Sequence, residues 1–183
     1  MGPVGSKQLA ALVAQRSGEL QLRCFAVVVL KQLQDPKATD NILALVLDPK
    51  EVLALREQIL LLAIELRHPR VPELLVALIE RHVDDKLDVE KKLVACQLDE
   101  QSPIFAKLFG LLEHKDWLIR KKIVNLFCLM RHPQAAHHLR THVEDPHPEV
   151  RGLVCLALAA QGDPQAYQFV AQAWEDPAPQ VKS

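Results

Sequence analysis

Aromatic side chains are scarce in this chain of 183 residues: Phe, Tyr and Trp make up 4%, against 49% hydrophobic residues overall. The core is therefore aliphatic, mostly Leu, Val and Ala, a composition that favours helices over strands. Long apolar runs are missing as well. The longest, such as CFAVVVL at 24–30 and ILLLAI at 59–64, fall far short of the roughly 20 residues that span a bilayer, so no transmembrane helix is expected. No CxxC pair occurs. Cys24, Cys96, Cys128 and Cys155 lie far apart within apolar runs and no secretory leader precedes them, so they read as buried thiols of a cytoplasmic protein. Neither charge sign is in excess, with a formal net charge of -1 and a pI of about 6.7, and such a chain has no global field to steer it to nucleic acid or an anionic membrane. HExxH, G-x-S-x-G and Gly-rich phosphate loops are absent, and no nucleophile, base and orienter set is recognisable. These absences point away from an enzyme and from any cofactor.

What the chain does contain is repetition. EDPHPEVR at 144–151 recurs as EDPAPQVK at 175–182, an offset of 31, and the same offset maps Pro133-Gln134-Ala135 onto Pro164-Gln165-Ala166. VEKKLV at 89–94 recurs as IRKKIV at 119–124, an offset of 30. Apolar-basic anchors at Leu22-Arg23 and Leu55-Arg56 extend the series toward the N-terminus. Apolar spacings of three and four predict two helices per unit. First helices are expected near 19–33, 50–66, 86–97, 117–130 and 148–160, second helices near 37–47, 70–83, 103–113, 134–144 and 165–175, and a short helix from Lys7 to Gln15 leads them. Asp-Pro steps at 35, 145, 163 and 176 are expected to supply an N-cap acceptor before a proline that needs no donor. One unit cannot bury its own apolar faces, so the expectation is an all-α stack of about five pairs in a right-handed superhelix, a single domain over 7–183. Residues 1–6, MGPVGS, read as a disordered start or a tag remnant; they fit the loose myristoylation pattern, for which Pro3 makes a poor substrate.

The stretch DPHPEVRGLVCLALAAQGDPQAYQFV resembles a HEAT repeat, in particular the short HEAT-like variety named after phycobilisome lyases. Asp145-Pro146, Val150-Arg151, an Ala/Leu-rich first helix and Gly162-Asp163-Pro164 carry the resemblance. Toward the N-terminus Glu90 replaces the anchor arginine and His114-Lys115 replaces the Asp-Pro step. The resemblance implies that second helices line a concave groove and that the chain is a protein-binding scaffold or adaptor. It also raises a chromophore-lyase subunit, or a chaperone-like helper of a bilin protein, as an alternative. HEAT-like deoxyhypusine hydroxylase holds iron through His-Glu pairs, and this chain has no His-Glu dipeptide.

The register sorts the candidate residues. Five of the eight histidines fall in RHPQAAHHLRTHVEDPH, 131–147. His138 aligns with Leu108 and Phe169, and His142 with Leu112 and Ala173, so both occupy apolar slots; four apart, they would form a metal pair only with a third ligand such as His147 or Asp145. No metal is assigned. Lys107, His137 and Gln168 form one polar column, and Leu111, Thr141 and Gln172 a second, with Arg140 beside them. These are the expected partner-binding residues on the second helices, fitted to a peptide or helix of another protein. Trp117 joins them as an interface anchor, with folding under the neighbouring loop as its alternative, while Trp174 is expected to pack between repeats. Lys91-Lys92 and Lys121-Lys122, joined by Arg120, read as a solvated charged face rather than a nucleic-acid site. The chain stops at Ser183, where a sixth first helix would begin. A longer solenoid or a cover for Phe169, Val170 and Ala173 is expected, and a homodimer through the C-terminal unit is its testable form.

Overall fold

A computed structural model describes residues 3–81, 87–174, 178 and 181 of the chain. Among these residues every regular element is helical, and no helix is long and apolar enough to cross a membrane. The all-helical expectation is met among the described residues. The chain divides into two compact units, 1–78 and 79–183.

The first unit holds α1 (Pro3–Ala14), α2 (Leu20–Leu33), α3 (Pro36–Leu43), α4 (Leu53–Glu65) and most of α5 (Val71–Glu80). Asp35 starts α3 as expected: its carboxylate accepts the N–H groups of Lys37 and Ala38, and Pro36 fills the position that needs no donor. Helix α1 packs on α2 and α3, and α4 on both. Val13, Val27, Leu30, Ile42, Leu55 and Ile59 meet in the resulting aliphatic core. Two expectations change here. Helix α1 begins at Pro3, and Ser6 is buried, so residues 3–6 belong to the fold. The second helix of this unit ends at Leu43 and tightens into a 3-10 turn, Ala44–Leu47, a common way to close a helix terminus.

The second unit holds α6 (Val89–Ala95), α7 (Pro103–Leu111), α8 (Trp117–Leu129), α9 (Ala135–Arg140), α10 (Pro148–Gln161) and α11 (Ala166–Trp174). Helix α8 packs on α6, α7 and α10, while α10 also carries α9 and α11. Helix α9 is shorter than the expected 134–144. Beyond Arg140 the His142 N–H bonds the Leu139 carbonyl, the Asp145 N–H bonds the His142 carbonyl, and the Thr141 hydroxyl bonds back to the His138 carbonyl, so the chain tightens into turns. Asp145 is not the N-cap of α10; His147 holds that place, with Pro148 behind it. The Asp145 carboxylate accepts the His147 N–H at 2.8 Å and two Arg120 N–H groups at 2.7 Å each. The step at Asp176-Pro177 lies outside the described residues.

The anchor arginines are the joints of both units. Arg23 and Arg56 are buried and donate Nε–H to the Val13 and Val46 carbonyls. Arg120 is buried and donates to the His114 and Lys115 carbonyls, and Arg151 donates to those of Asp145 and Pro146. Each ties a first helix to the segment that leads into it. Arg23 also forms a two-pronged pair with buried Glu51, as Arg120 does with Asp145.

Candidate partner-binding surface

Helices α7 and α9 are the second helices that wall an open groove of about 640 Å³. Ser102 caps α7 by accepting the Ile104 N–H, and Pro103 fills the first helical position. The period of the helix then turns Ile104, Phe105, Leu108 and Phe109 inward and leaves Ala106, Lys107 and Gly110 outside. On α9 the buried residues are Ala135 and Leu139, with His137 exposed and His138 half-buried.

The groove floor is a set of ring contacts. Phe109 stacks on Phe127 at 5.3 Å, and the His138 ring stacks on Phe109 at 4.0 Å and 14°. His132 lies 4.1 Å from Phe105 and meets Phe109 edge-on at 5.3 Å. His132 Nδ1 accepts the Gln134 N–H, which leaves Nε2 to donate to the Glu100 carbonyl at 3.1 Å; those two bonds require the neutral tautomer. Burial, followed by the nearby His137, His132 and His142, pushes the His138 pKa down against the pull of Glu113. His138 is therefore neutral at pH 7. His142 is buried with Nε2 3.2 Å from Glu113 Oε1.

Residues 105–183 match the family model of HEAT repeats. That stretch is similar to HEAT repeats. It lies within the second unit and covers less than half of the chain. No curated protein matches the chain. HEAT repeats commonly mediate protein–protein interaction.

Of the residues expected to meet a partner, Lys107, His137, Thr141, Gln168 and Gln172 are exposed on α7, on α9 and the turn that ends it, and on α11. They occupy the solvent side of the second helices in the HEAT-like stretch. Three others are placed differently. Leu111 is buried at 8% exposure, because its position on α7 continues the inward face of Leu108 and offers a partner nothing to hold. Arg140 is half-buried and gives both prongs to the Asp163 carboxylate, at 2.7 and 2.9 Å, so it serves the joint to α11. The Arg140 hydrogen bonds, opposed by burial, hold the Asp163 carboxyl below the usual carboxylate range. Trp117 is half-buried at the start of α8, stacked on His147 at 3.5 Å and 7°, with Lys121 Nζ 5.7 Å from its ring. That stack is the fold-under-the-loop alternative, on a first helix rather than in the second-helix groove.

The remaining expectations sort the same way. Trp174 is 71% exposed and Val170 exposed, while Phe169 is half-buried; among the described residues α11 packs on α10, so Trp174 is not covered by a neighbouring pair. On the basic face Arg120 pairs with Asp145, Lys121 with Glu149 at 2.5 Å, and Lys92 bonds the Leu87 carbonyl, each within its own unit. Among the described residues no group of three or more His, Cys, Asp or Glu is placed to hold a metal. The groove floor itself escaped the reading of the sequence. Its signal was present, since Phe105 and Phe109 are two of only five phenylalanines and lie four apart, which sets them on one helical face.

Proposed function

We propose that this chain is a non-enzymatic scaffold or adaptor that holds a segment of another protein against the exposed sides of α7, α9 and α11. The helix pairs would continue as a right-handed superhelix, the arrangement in which stacked pairs bury their apolar faces. The observation that carries this reading is the row Lys107, His137, Thr141, Gln168 and Gln172, all exposed on consecutive second helices of the HEAT-like stretch or, for Thr141, on the turn that ends α9. Such a row recognises a partner by shape and polar contacts rather than by chemistry on it. Four free cysteines suit a reducing compartment such as the cytoplasm.

The test uses a photo-cross-linking amino acid placed at His137 or Gln168, with Leu129 on a first helix as control. The expected result is one partner cross-linked from both second-helix positions and not from Leu129. His137→Glu together with Gln168→Glu should weaken that capture about tenfold while circular dichroism is unchanged. Capture from Leu129 alone, or capture indifferent to the double substitution, would overturn the assignment.

A further inference from the structure

We propose that the groove between α7 and α9 receives a lysine or arginine side chain of the partner segment, its cation lying over the outer face of the His138 ring with Glu100 and Glu113 at the rim. The proposal rests on the partner-binding reading above and adds the chemistry of the occupant.

Charge comes first. Among the described residues the groove lining contains Glu100 and Glu113 and no lysine or arginine. Glu100 is exposed, and the Glu113 side chain keeps 75% of its surface in water while its Oε1 lies near His142. Arg131 lines a separate cleft of about 220 Å³ that also touches Glu100. The lowered pKa of His138 leaves its imidazole uncharged at pH 7, and the His132 ring nitrogens are taken up by the Gln134 N–H and the Glu100 carbonyl. A cation entering the groove meets two acids and no competing base of the lining.

The floor selects the kind of cation. Phe109 is sandwiched between Phe127 and His138, so the ring face left open is the outer face of half-buried His138, on which a guanidinium stacks flat. An acidic side chain would be repelled at the rim, and an aliphatic one would leave the carboxylates without a partner as water is expelled.

Shape completes the case. Ala106 and Gly110, four apart on the exposed side of α7, leave that wall low. A Cβ built on Gly110 meets nothing within 4 Å. The partner backbone can therefore run close to α7 while its side chain reaches the His138 ring, and a larger residue at 110 would occupy the groove without straining the fold.

The experiment is an NMR titration of the full chain with four peptides of glycine and serine, each carrying arginine, lysine, glutamate or leucine at alternate positions. The arginine and lysine peptides should shift amides of 100–113 and 132–138 in a saturable way. Glu100→Lys with Glu113→Lys should weaken that binding at least tenfold, roughly the loss of one cation–π contact and its charge partners. Gly110→Gln should weaken it similarly with helical content unchanged. Equal binding of the glutamate or leucine peptide at these amides, or indifference to the charge reversal, would overturn the basic occupant while leaving α7 and α9 as a partner site. If no peptide shifts these amides while the cross-links from His137 and Gln168 still form, the groove proposal alone falls.

Discussion

The two units solve one joint problem with different residues. In the first, Arg23 and Arg56 reach carbonyls ten residues back, at Val13 and Val46, near the ends of the preceding helical segments. In the second, Arg120 and Arg151 reach carbonyls five and six residues back, in the turns before α8 and α10. The acid that faces the buried guanidinium is Glu51 in one unit and Asp145 in the other. What repeats is a cation on each first helix that satisfies stray carbonyls of the incoming chain, whatever the length of the connection. A residue pattern matches over 105–183, within the unit with the shorter connections, while the device itself occurs in both.

The most severe way to break that parallel is Asp145→Ala. It leaves Arg120, whose side chain is 10% exposed, buried without its carboxylate, at a cost of about 3 kcal/mol. Urea unfolding would show this, and Arg120→Met with Asp145→Leu should recover most of the loss. Glu51→Ala is expected to cost a comparable amount in the first unit. A loss below about 1 kcal/mol would show that the two joints are not equivalent.

Acid separates folded from unfolded through the same pair of carboxylates. The Arg23 hydrogen bonds hold the Glu51 carboxyl below its usual range against the cost of burial. For Asp145 burial pulls upward, and the Arg120 and His147 bonds with the Arg120 charge outweigh it, so its pKa is also lowered. A lowered folded pKa contributes stability that is fully present above the unfolded value, near 4, and lost as pH falls through the folded value. The unfolding midpoint should therefore drop steeply below about pH 4. Glu51→Gln with Asp145→Asn should flatten that drop, and an unchanged acid limb would show that the pairs do not govern it.

A middle-sized effect is expected at Gln161, which belongs to the second unit alone. Its Nε2 donates to the Phe127 and Met130 carbonyls, and its Oε1 accepts the His132 N–H. Gln161→Ala should cost about 1–2 kcal/mol, and hydrogen exchange should quicken at 130–134, beside the groove floor.

The smallest effects concern helix ends. After α2, α4 and α6 the chain turns left-handed at Gln34, Arg67 and Gln97, with φ near +49°, +48° and +49°, whereas α10 uses Gly162 at φ +75°. A side chain in that region costs about 1 kcal/mol. Exposed Arg67→Gly should raise the melting temperature by about 1–2 °C, and Gly162→Ala should lower it by a similar amount. Shifts of the opposite signs would show that the turns are set by other contacts.

Helix existence was legible because it is written locally. Spacings of three and four predict helices whose bounds agree within a few residues for α2, α8 and α10, and Asp35-Pro36 marks the start of α3. Exposure of Lys107, His137 and Gln168 was legible through register, since matched positions of a repeat face the same way. Arg140, Leu111 and Asp145 were misread for a different reason. Each looked like a surface or capping residue from its own neighbourhood; Leu111 follows the inward face of α7, while the partners of Arg140 and Asp145, Asp163 and Arg120, lie 23 and 25 residues away in the chain.

The sequence by itself determined an aliphatic, all-helical chain of paired helices and the polar row on its second helices, because propensity, capping and periodicity act within a few residues. The tertiary structure decided which charged groups remain available. Arg120 is claimed by Asp145 and Arg140 by Asp163, while Glu100 and Glu113 line a groove that among the described residues holds no lysine or arginine. Ion pairing and ring stacking act over a few ångströms in space, and only the packing of α7, α8, α9 and α10 brings those partners within reach.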